Sequence, residues 1–321
     1  MTKAPDRAEA SGRATRLALR PGDERRDGNE VIRIGGMPQT EHEGESERDV
    51  RIWTIHYTAT RLATVIAVFA LGSAPPPNAP IPRAPEELAR ALGQTSAALR
   101  VAIRQWRAKG GPPPETVTLE ALYQQRIYRL LAGNEPLARR TLPRLPSDLR
   151  SVSRDFVAAQ RELYRLTPPL APRAIKVGPA APAQVLLRYY REAERRFRVP
   201  WHVLAAVNFV ESKFGKLRSA SAAGAQGPMQ FLPATWRRYG LGGNVHNPHD
   251  AILGAANYLH ASGAPRRLRR ALYSYNPSPV YVDAILRYAR QIRADRTTFF
   301  VLYSWQVFVK TPRGDRRVTG P

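Results

Sequence analysis

From Pro85 onward, apolar and polar positions recur along the chain with a helical period. Pro85 followed by Glu86 and Glu87 has the make-up of a helix start. Leu88, Leu92, Leu99, Ile103 and Trp106 then form one apolar stripe, which stops at Gly110-Gly111-Pro112. The same reading predicts helices over about 117–132 and 147–166, separated by Gly133-Asn134 and by Pro143 and Pro146. A Pro/Ala-rich linker occupies 167–182. Beyond it, Gly and Pro punctuation divides the chain into expected helices over 183–198, 200–212, 229–239, 248–262, 265–273 and 278–294. The tail from Phe299 to Val309 alternates aromatic and β-branched residues and turns at Pro312-Arg313-Gly314-Asp315, which predicts a short strand or hairpin. The expected fold class is therefore all-α. It comprises a helical region over 85–166, a compact helical domain over 183–296 and a C-terminal extension over 297–321.

The front of the chain has a different pattern. Residues 1–50 are polar, lack a sustained apolar period and read as a disordered leader. Residues 51–74 read as a secretory signal peptide: Arg51 and Arg61 are basic, Leu62–Leu71 is apolar, and Gly72-Ser73-Ala74 supplies small residues where a signal peptidase would cut. The apolar run is too short for an ordinary membrane span. The competing reading, a buried helix of a cytosolic domain, fits poorly with Pro75-Pro76-Pro77 and the Pro-rich linker over 75–84. A signal belongs near the initiator, so a downstream start at Met37 or a non-Met start such as Val50 is expected. The protein is then expected outside the cytoplasm, secreted or in the cell envelope, touching a membrane only through an uncleaved signal.

Charge sharpens this division. The chain of 321 residues has a formal net charge of +24, yet residues 1–50 hold 9 basic and 11 acidic residues and 51–321 hold 41 and 15. The excess lies in the region expected to be exported, and it predicts attraction to a polyanion: nucleic acid, an anionic membrane or a charged wall polymer. No DNA- or RNA-binding module is recognisable, which disfavours nucleic acid. The absence of cysteine excludes a disulfide scaffold, a Cys-ligated zinc site and a thiol nucleophile.

The chemistry is concentrated after residue 200. In the helix predicted over 200–212, Leu204, Val207 and Glu211 fall on one inward stripe. Partial burial and the negative end of the helix dipole both disfavour the charged carboxylate, and a raised pKa suits a general acid near neutral pH. Considered alone, Glu211 could equally be satisfied by a local hydrogen bond or an arginine. Downstream, Ser221–Trp236 combines small residues, two glycines and an amide, a lining that suits a neutral, hydroxyl-rich ligand such as a sugar.

Taken together, Glu211-Ser212, Gly227-Pro228-Met229-Gln230 and Ser274-Tyr275-Asn276 resemble, in order and spacing, the motifs of the soluble lytic transglycosylase family, whose catalytic domain is lysozyme-like. The resemblance covers roughly 185–295. Pro228 stands where the family more often has Leu, and Ser274 where it more often has Ala. The resemblance implies that Glu211 protonates the glycosidic oxygen between N-acetylmuramic acid and N-acetylglucosamine, then as carboxylate takes the proton of the muramic C6 hydroxyl, giving a 1,6-anhydro product. It also implies that Ser212, Met229, Gln230, Tyr275 and Asn276 bind substrate or position Glu211. No metal or organic cofactor is implied, and the partner is the peptidoglycan glycan strand, with anionic wall polymers as a further candidate.

An independent count agrees with a single working carboxylate. Two-carboxylate glycosidases need a partner at a set separation, whereas 185–296 contains only Glu192, Glu194, Glu211, Asp250, Asp283 and Asp295. Asp250 sits in a first helical turn, where it complements the dipole, and Glu192 and Glu194 lie among arginines as a solvated ion-pair face. Asp283 reads as structural. The substrate N-acetyl group would then have to assist departure. Trp201, Trp236, Tyr239, Tyr258 and Tyr273 are candidates for sugar platforms, but at helical spacing they read as core. Arg266, Arg267, Arg269 and Arg270 form a solvated face or a track for anionic polymer, and Gly242-Gly243 is a loop hinge. Two alternatives remain at this stage: a muramidase that hydrolyses the same bond on the same fold, and an inactive wall-binding protein.

Overall fold

The computed structural model describes residues 73–169 and 175–321. The polar leader, the signal-like stretch as far as residue 72 and the middle of the second linker lie outside the described residues. No helix among the described residues is long and apolar enough to cross a membrane.

The described chain is all-α except for one C-terminal hairpin. Helix α1 (Pro85–Lys109) begins on Pro85 with Glu86 and Glu87 in its first turn, and it buries the stripe of Leu88, Leu92, Leu99, Ile103 and Trp106. Full burial of each such side chain contributes about 1.5–3 kcal/mol, so the stripe alone is a substantial anchor. Helix α2 (Glu115–Gly133) packs along α1, and α4 (Ser147–Leu166) packs on α2. Between them runs the short α3 (Glu135–Thr141), absent from the sequence expectation; its first turn is capped by Asn134, whose side chain accepts from Leu137 N at 3.0 Å.

The second group comprises α5 (Ala183–Phe197), α6 (Trp201–Ser212), α7 (Pro233–Tyr239), α8 (Pro248–Ala261), α9 (Leu268–Tyr275) and α10 (Pro279–Ala294). Helix α6 is apolar almost all round and is enclosed by α5, α8 and α10. Each of α7, α8 and α10 starts with Pro in its first turn, where the missing N–H is no loss. The expected helix over 229–239 begins only at Pro233. Leu232, the residue before Pro233, is extended at ψ 141°, and Gln230 is left-handed at φ 49°, so residues 229–232 form a turn.

Helix α10 joins the two groups. It packs against α6 on one side and α4 on the other. Asp155 of α4, 4% exposed, accepts from Arg290 Nε at 3.0 Å and from Gln291 Nε2 at 2.5 Å, while Phe156 lies 5.5 Å from the Tyr288 ring.

The tail corrects one expectation. Residues Thr297–Ser304 form a helix, α11, and the hairpin comes later, with β1 (Phe308–Thr311) antiparallel to β2 (Gly314–Arg317), Val309 opposite Arg316 and a turn at Pro312-Arg313. In α11, Phe299, Phe300, Val301, Leu302 and Tyr303 are all buried. A segment buried on every side shows neither helical nor strand periodicity.

Candidate active site

Glu211 occupies the last turn of α6, half-buried, with Leu204 and Val207 fully buried on the stripe below it. The chain leaves the helix abruptly. Lys213 (φ 53°), Phe214 (φ 63°) and Gly215 (φ 86°) are left-handed in succession, so two side-chain-bearing residues hold a conformation that costs about 1–2 kcal/mol each. Hydrogen bonds fix this turn: Lys213 N to Phe209 O at 3.0 Å, Phe214 N to Asn208 O at 3.2 Å and Leu217 N to Ser212 O at 2.9 Å.

Ser212 ties that turn to the next motif. Its side chain is fully buried, its hydroxyl donates to Pro228 O at 2.5 Å, and the same oxygen accepts from Gly215 N at 2.8 Å. One turn earlier the buried Asn208 donates to Tyr190 Oη at 2.8 Å, linking α6 to α5. The bonds of Ser212 thus all run to protein groups, and it joins two motifs.

Residues 226–231 fold back on themselves through paired backbone hydrogen bonds between Gln226 and Phe231, at 2.9 and 2.8 Å. Gly227 makes the turn possible: its φ is +75°, and a Cβ there would lie 2.0 Å from Val245 O. Met229 is fully buried, and Gln230 is half-buried, its amide donating to Gly227 O at 3.0 Å. Tyr275, at the end of α9, donates its hydroxyl to Met229 O at 2.6 Å, and Asn276 follows, half-buried, as the C-cap. Glu211, Ser212, Pro228, Met229, Gln230 and Tyr275 are therefore gathered around one point, with Asn276 beside them.

The hydroxyl on the carboxyl group belongs to a residue that sequence reasoning missed. Tyr281, buried in the first turn of α10, donates to Glu211 Oε1 at 2.5 Å. Burial pushes the Glu211 carboxyl up to about 7, against the Tyr281 hydrogen bond and the nearby Lys213 charge, both of which favour the carboxylate. Burial, with the Glu211 charge adding to it, raises Tyr281 and Tyr275 well above the ordinary phenol value, so both remain donors across the working pH range. The available signal for Tyr281 was general: a buried tyrosine seeks a partner for its hydroxyl.

The remaining acids of 185–296 are committed elsewhere. Glu192 lies 3.0 Å from His249 Nε2, and Glu194 accepts from Trp201 N at 3.1 Å and from Arg191 at 3.0 Å. Asp250 accepts from Asn244 N at 2.9 Å, Asp283 pairs with Arg269 at 2.8 Å, and Asp295 accepts from Thr297 N at 2.7 Å. Among the described residues no three His, Asp or Glu side chains converge as a metal ion would need.

Of the aromatic candidates, Trp201 is buried under the Arg191 guanidinium, 4.8 Å from its ring, and Trp236 packs on Phe231 at 5.1 Å. Tyr239, Tyr258 and Tyr275 form a row with centroids 4.6 and 5.5 Å apart that leads to the Glu211 site, whereas Tyr273 stands exposed.

Comparison with known proteins gives one family match over this part of the chain. The family model "Transglycosylase SLT domain" matches residues 188–295, which span α5 through α10. This part of the chain resembles a transglycosylase SLT domain. Over 113 residues the chain is 28% identical to membrane-bound lytic murein transglycosylase F of Thiobacillus denitrificans, a stretch covering 33% of this chain and 24% of that protein. The chain thus spans about a quarter of the length of that relative. No solved structure matches. The SLT domain holds the Glu211 site whole, while α1 to α4 and the hairpin lie outside the matched residues.

Proposed function

We propose that the protein is an extracytoplasmic peptidoglycan lytic transglycosylase that cleaves the β-1,4 bond between N-acetylmuramic acid and N-acetylglucosamine without water. What carries the reading is Glu211, a carboxyl group near pKa 7, hydrogen-bonded by a neutral tyrosine, while the other acids of the SLT domain are engaged in structural contacts. At neutral pH such a group is present in both forms, as a residue that is acid first and base second requires.

Protonated Glu211 gives its proton to the glycosidic oxygen as the C1–O bond breaks. The acetamido oxygen of the muramic residue closes on C1, standing in for the second carboxylate of ordinary glycosidases. The Tyr281 hydroxyl holds the Glu211 carboxylate that results. That carboxylate then takes the C6 hydroxyl proton while O6 attacks C1, the acetamido oxygen departs, and a 1,6-anhydro ring is left. Gln230 and Asn276 are the polar side chains best disposed to meet the sugar, and Tyr275 holds the Met229 carbonyl that shapes the wall of the cleft. Ser212 and Met229 support that wall from below. The signal-like segment and the net positive charge fit an exported protein that works on an anionic wall.

The test is digestion of purified peptidoglycan by the wild type and by Glu211→Gln, with soluble products identified by mass spectrometry. Anhydromuropeptides from the wild type and none from the variant are expected. Products heavier by one water would replace the proposal with a muramidase, and a folded protein that binds the wall without releasing products would replace it with a binding role.

A further inference from the structure

A cavity of about 650 Å³ opens where the two helical groups and the hairpin meet, outside the residues that resemble known relatives for much of its wall. Its floor is aromatic: Phe209 of α6, Tyr288 of α10 and Trp305 after α11, all buried. Its rim is cationic, with five Lys or Arg side chains facing two acids. Both acids are already matched, since Arg129 pairs with Asp315 and Arg161 lies 3.2 Å from Glu135. Lys213, Arg165 and Lys310 have no carboxylate partner among the described residues. Lys310 instead reaches the Thr167 carbonyl at 3.3 Å and Lys213 the Phe209 carbonyl at 3.1 Å. Gln160, on the wall from α4, has its Nε2 buried without a hydrogen-bond partner among the described residues, a vacancy that a ligand acceptor would fill.

Of the residues that line the cavity, Lys213 lies nearest in sequence to the reaction site. Lys213 lines it and stands two positions after Glu211, close enough for its charge to act on that carboxyl group. A ligand that spans both places carries a carboxylate arm attached to the reacting sugar. Resting on the reading of Glu211 given above, we propose that this cavity binds the acidic peptide borne by the muramic residue, its carboxylates on Lys213 and Lys310 and its backbone on Gln160. The mixed lining favours a peptide over a phosphodiester polymer: side-chain methyl and methylene groups have an aromatic floor to cover, whereas a polyphosphate chain has little to place there.

The full chain is titrated calorimetrically with the N-acetylated stem tetrapeptide, with the same peptide amidated at every carboxylate, and with a polyglycerol-phosphate chain. The free-acid peptide is expected to bind at least about tenfold more tightly than its amide, the worth of one charge-assisted hydrogen bond. Gln160→Leu and Lys310→Met are each expected to weaken it several-fold. In turnover, both variants raise KM on peptide-bearing strands at unchanged kcat and leave strands stripped of their peptides unaffected. Equal binding of acid and amide, wild-type binding by both variants, or tighter binding of the phosphate polymer overturns the assignment. A wild type that cleaves neither kind of strand refutes the Glu211 reading instead, and the calorimetry still decides the cavity.

Discussion

The Tyr281 hydroxyl, from the first turn of α10, donates to Glu211 Oε1 at the end of α6 over 2.5 Å, a bond between residues 70 positions apart. It opposes the burial that keeps the carboxyl neutral, and so sets how easily Glu211 passes from acid to base. Removing the donor should raise the carboxyl pKa above its value of about 7. In Tyr281→Phe the alkaline limb of the activity profile, where protonated Glu211 is lost, is therefore expected at higher pH. The maximal rate should fall by about tenfold or more, the worth of one hydrogen bond to a charged group. Rates of anhydromuropeptide release from pH 5 to 9 would reveal this, and an unshifted limb would exclude Tyr281 from the proton cycle.

The same burial predicts a stability effect of definite sign. Glu211 ionises near its ordinary value of 4.5 when unfolded and near 7 when folded, so the folded state holds its proton more tightly. Its contribution is most favourable below about 4.5 and is lost as pH rises through 7. Glu211→Gln, which never ionises and still offers Tyr281 an acceptor, should therefore be more stable than the wild type at pH 8, by about 1–2 kcal/mol after allowing for the half-open position of the group. Urea unfolding at pH 8 and pH 4.5 checks this; the difference should shrink at the lower pH.

How far these features were legible in the chain depends on whether the signal was local. The stripe of α1, the inward position of Glu211 and the Pro starts of α8 and α10 follow from spacing and from residues adjacent in sequence. The gathering of Ser212 and Pro228 was visible only as a motif pattern, because their hydrogen bond crosses a turn set by three consecutive left-handed residues. Helix α11 was misread because burial on all sides removes periodicity, and α3 was missed because its seven residues, Glu135–Thr141, give too short a pattern. Tyr281 carried no local signal, since its partner is supplied by the packing of α10 on α6.

Two glycines with nearly the same φ separate conformational strain from steric clash. Gly227 (φ +75°) and Gly242 (φ +77°) are both left-handed, but a Cβ on Gly227 meets the Val245 carbonyl at 2.0 Å, while one on Gly242 meets nothing within 4 Å. Gly242→Ala is expected to cost about 1 kcal/mol, the backbone penalty alone. Gly227→Ala must also displace the 244–246 loop, so it should cost about 2–4 kcal/mol and lower the rate by moving Gln230. Chemical denaturation of the pair provides the comparison, and equal losses would show that the loop yields freely.

Ser212 offers a test of where a motif residue acts. Its hydroxyl serves Pro228 O and Gly215 N and is fully buried. Ser212→Ala should destabilise the protein by about 1–3 kcal/mol and reduce kcat while leaving KM nearly unchanged, because the bonds it loses are internal ones. A large rise in KM with stability intact would instead place the serine on the substrate.

The last prediction concerns α4 and α10. Asp155 of α4 is buried among Arg290, Gln291 and Arg287 of α10, with Arg287 Nη1 3.7 Å away, and beside it Phe156 contacts both Tyr288 and Trp305, at 5.5 and 5.3 Å. The face that α10 turns toward α4 is thus apolar around a cationic spot, where Asp155 takes Arg290 and Gln291 while Glu162 lies 3.4 Å from Arg287. Asp155→Ala takes the acceptor from the buried Gln291 amide, while the freed Arg290 guanidinium can turn to solvent, so the change should cost about 1–3 kcal/mol. If helices α1 to α4 complete the core of the SLT domain in this way, the variant should melt at lower temperature in a single transition, with near-ultraviolet circular dichroism and lytic activity lost together. Two separated transitions, with activity surviving the first, would show that the SLT domain folds without the preceding helices.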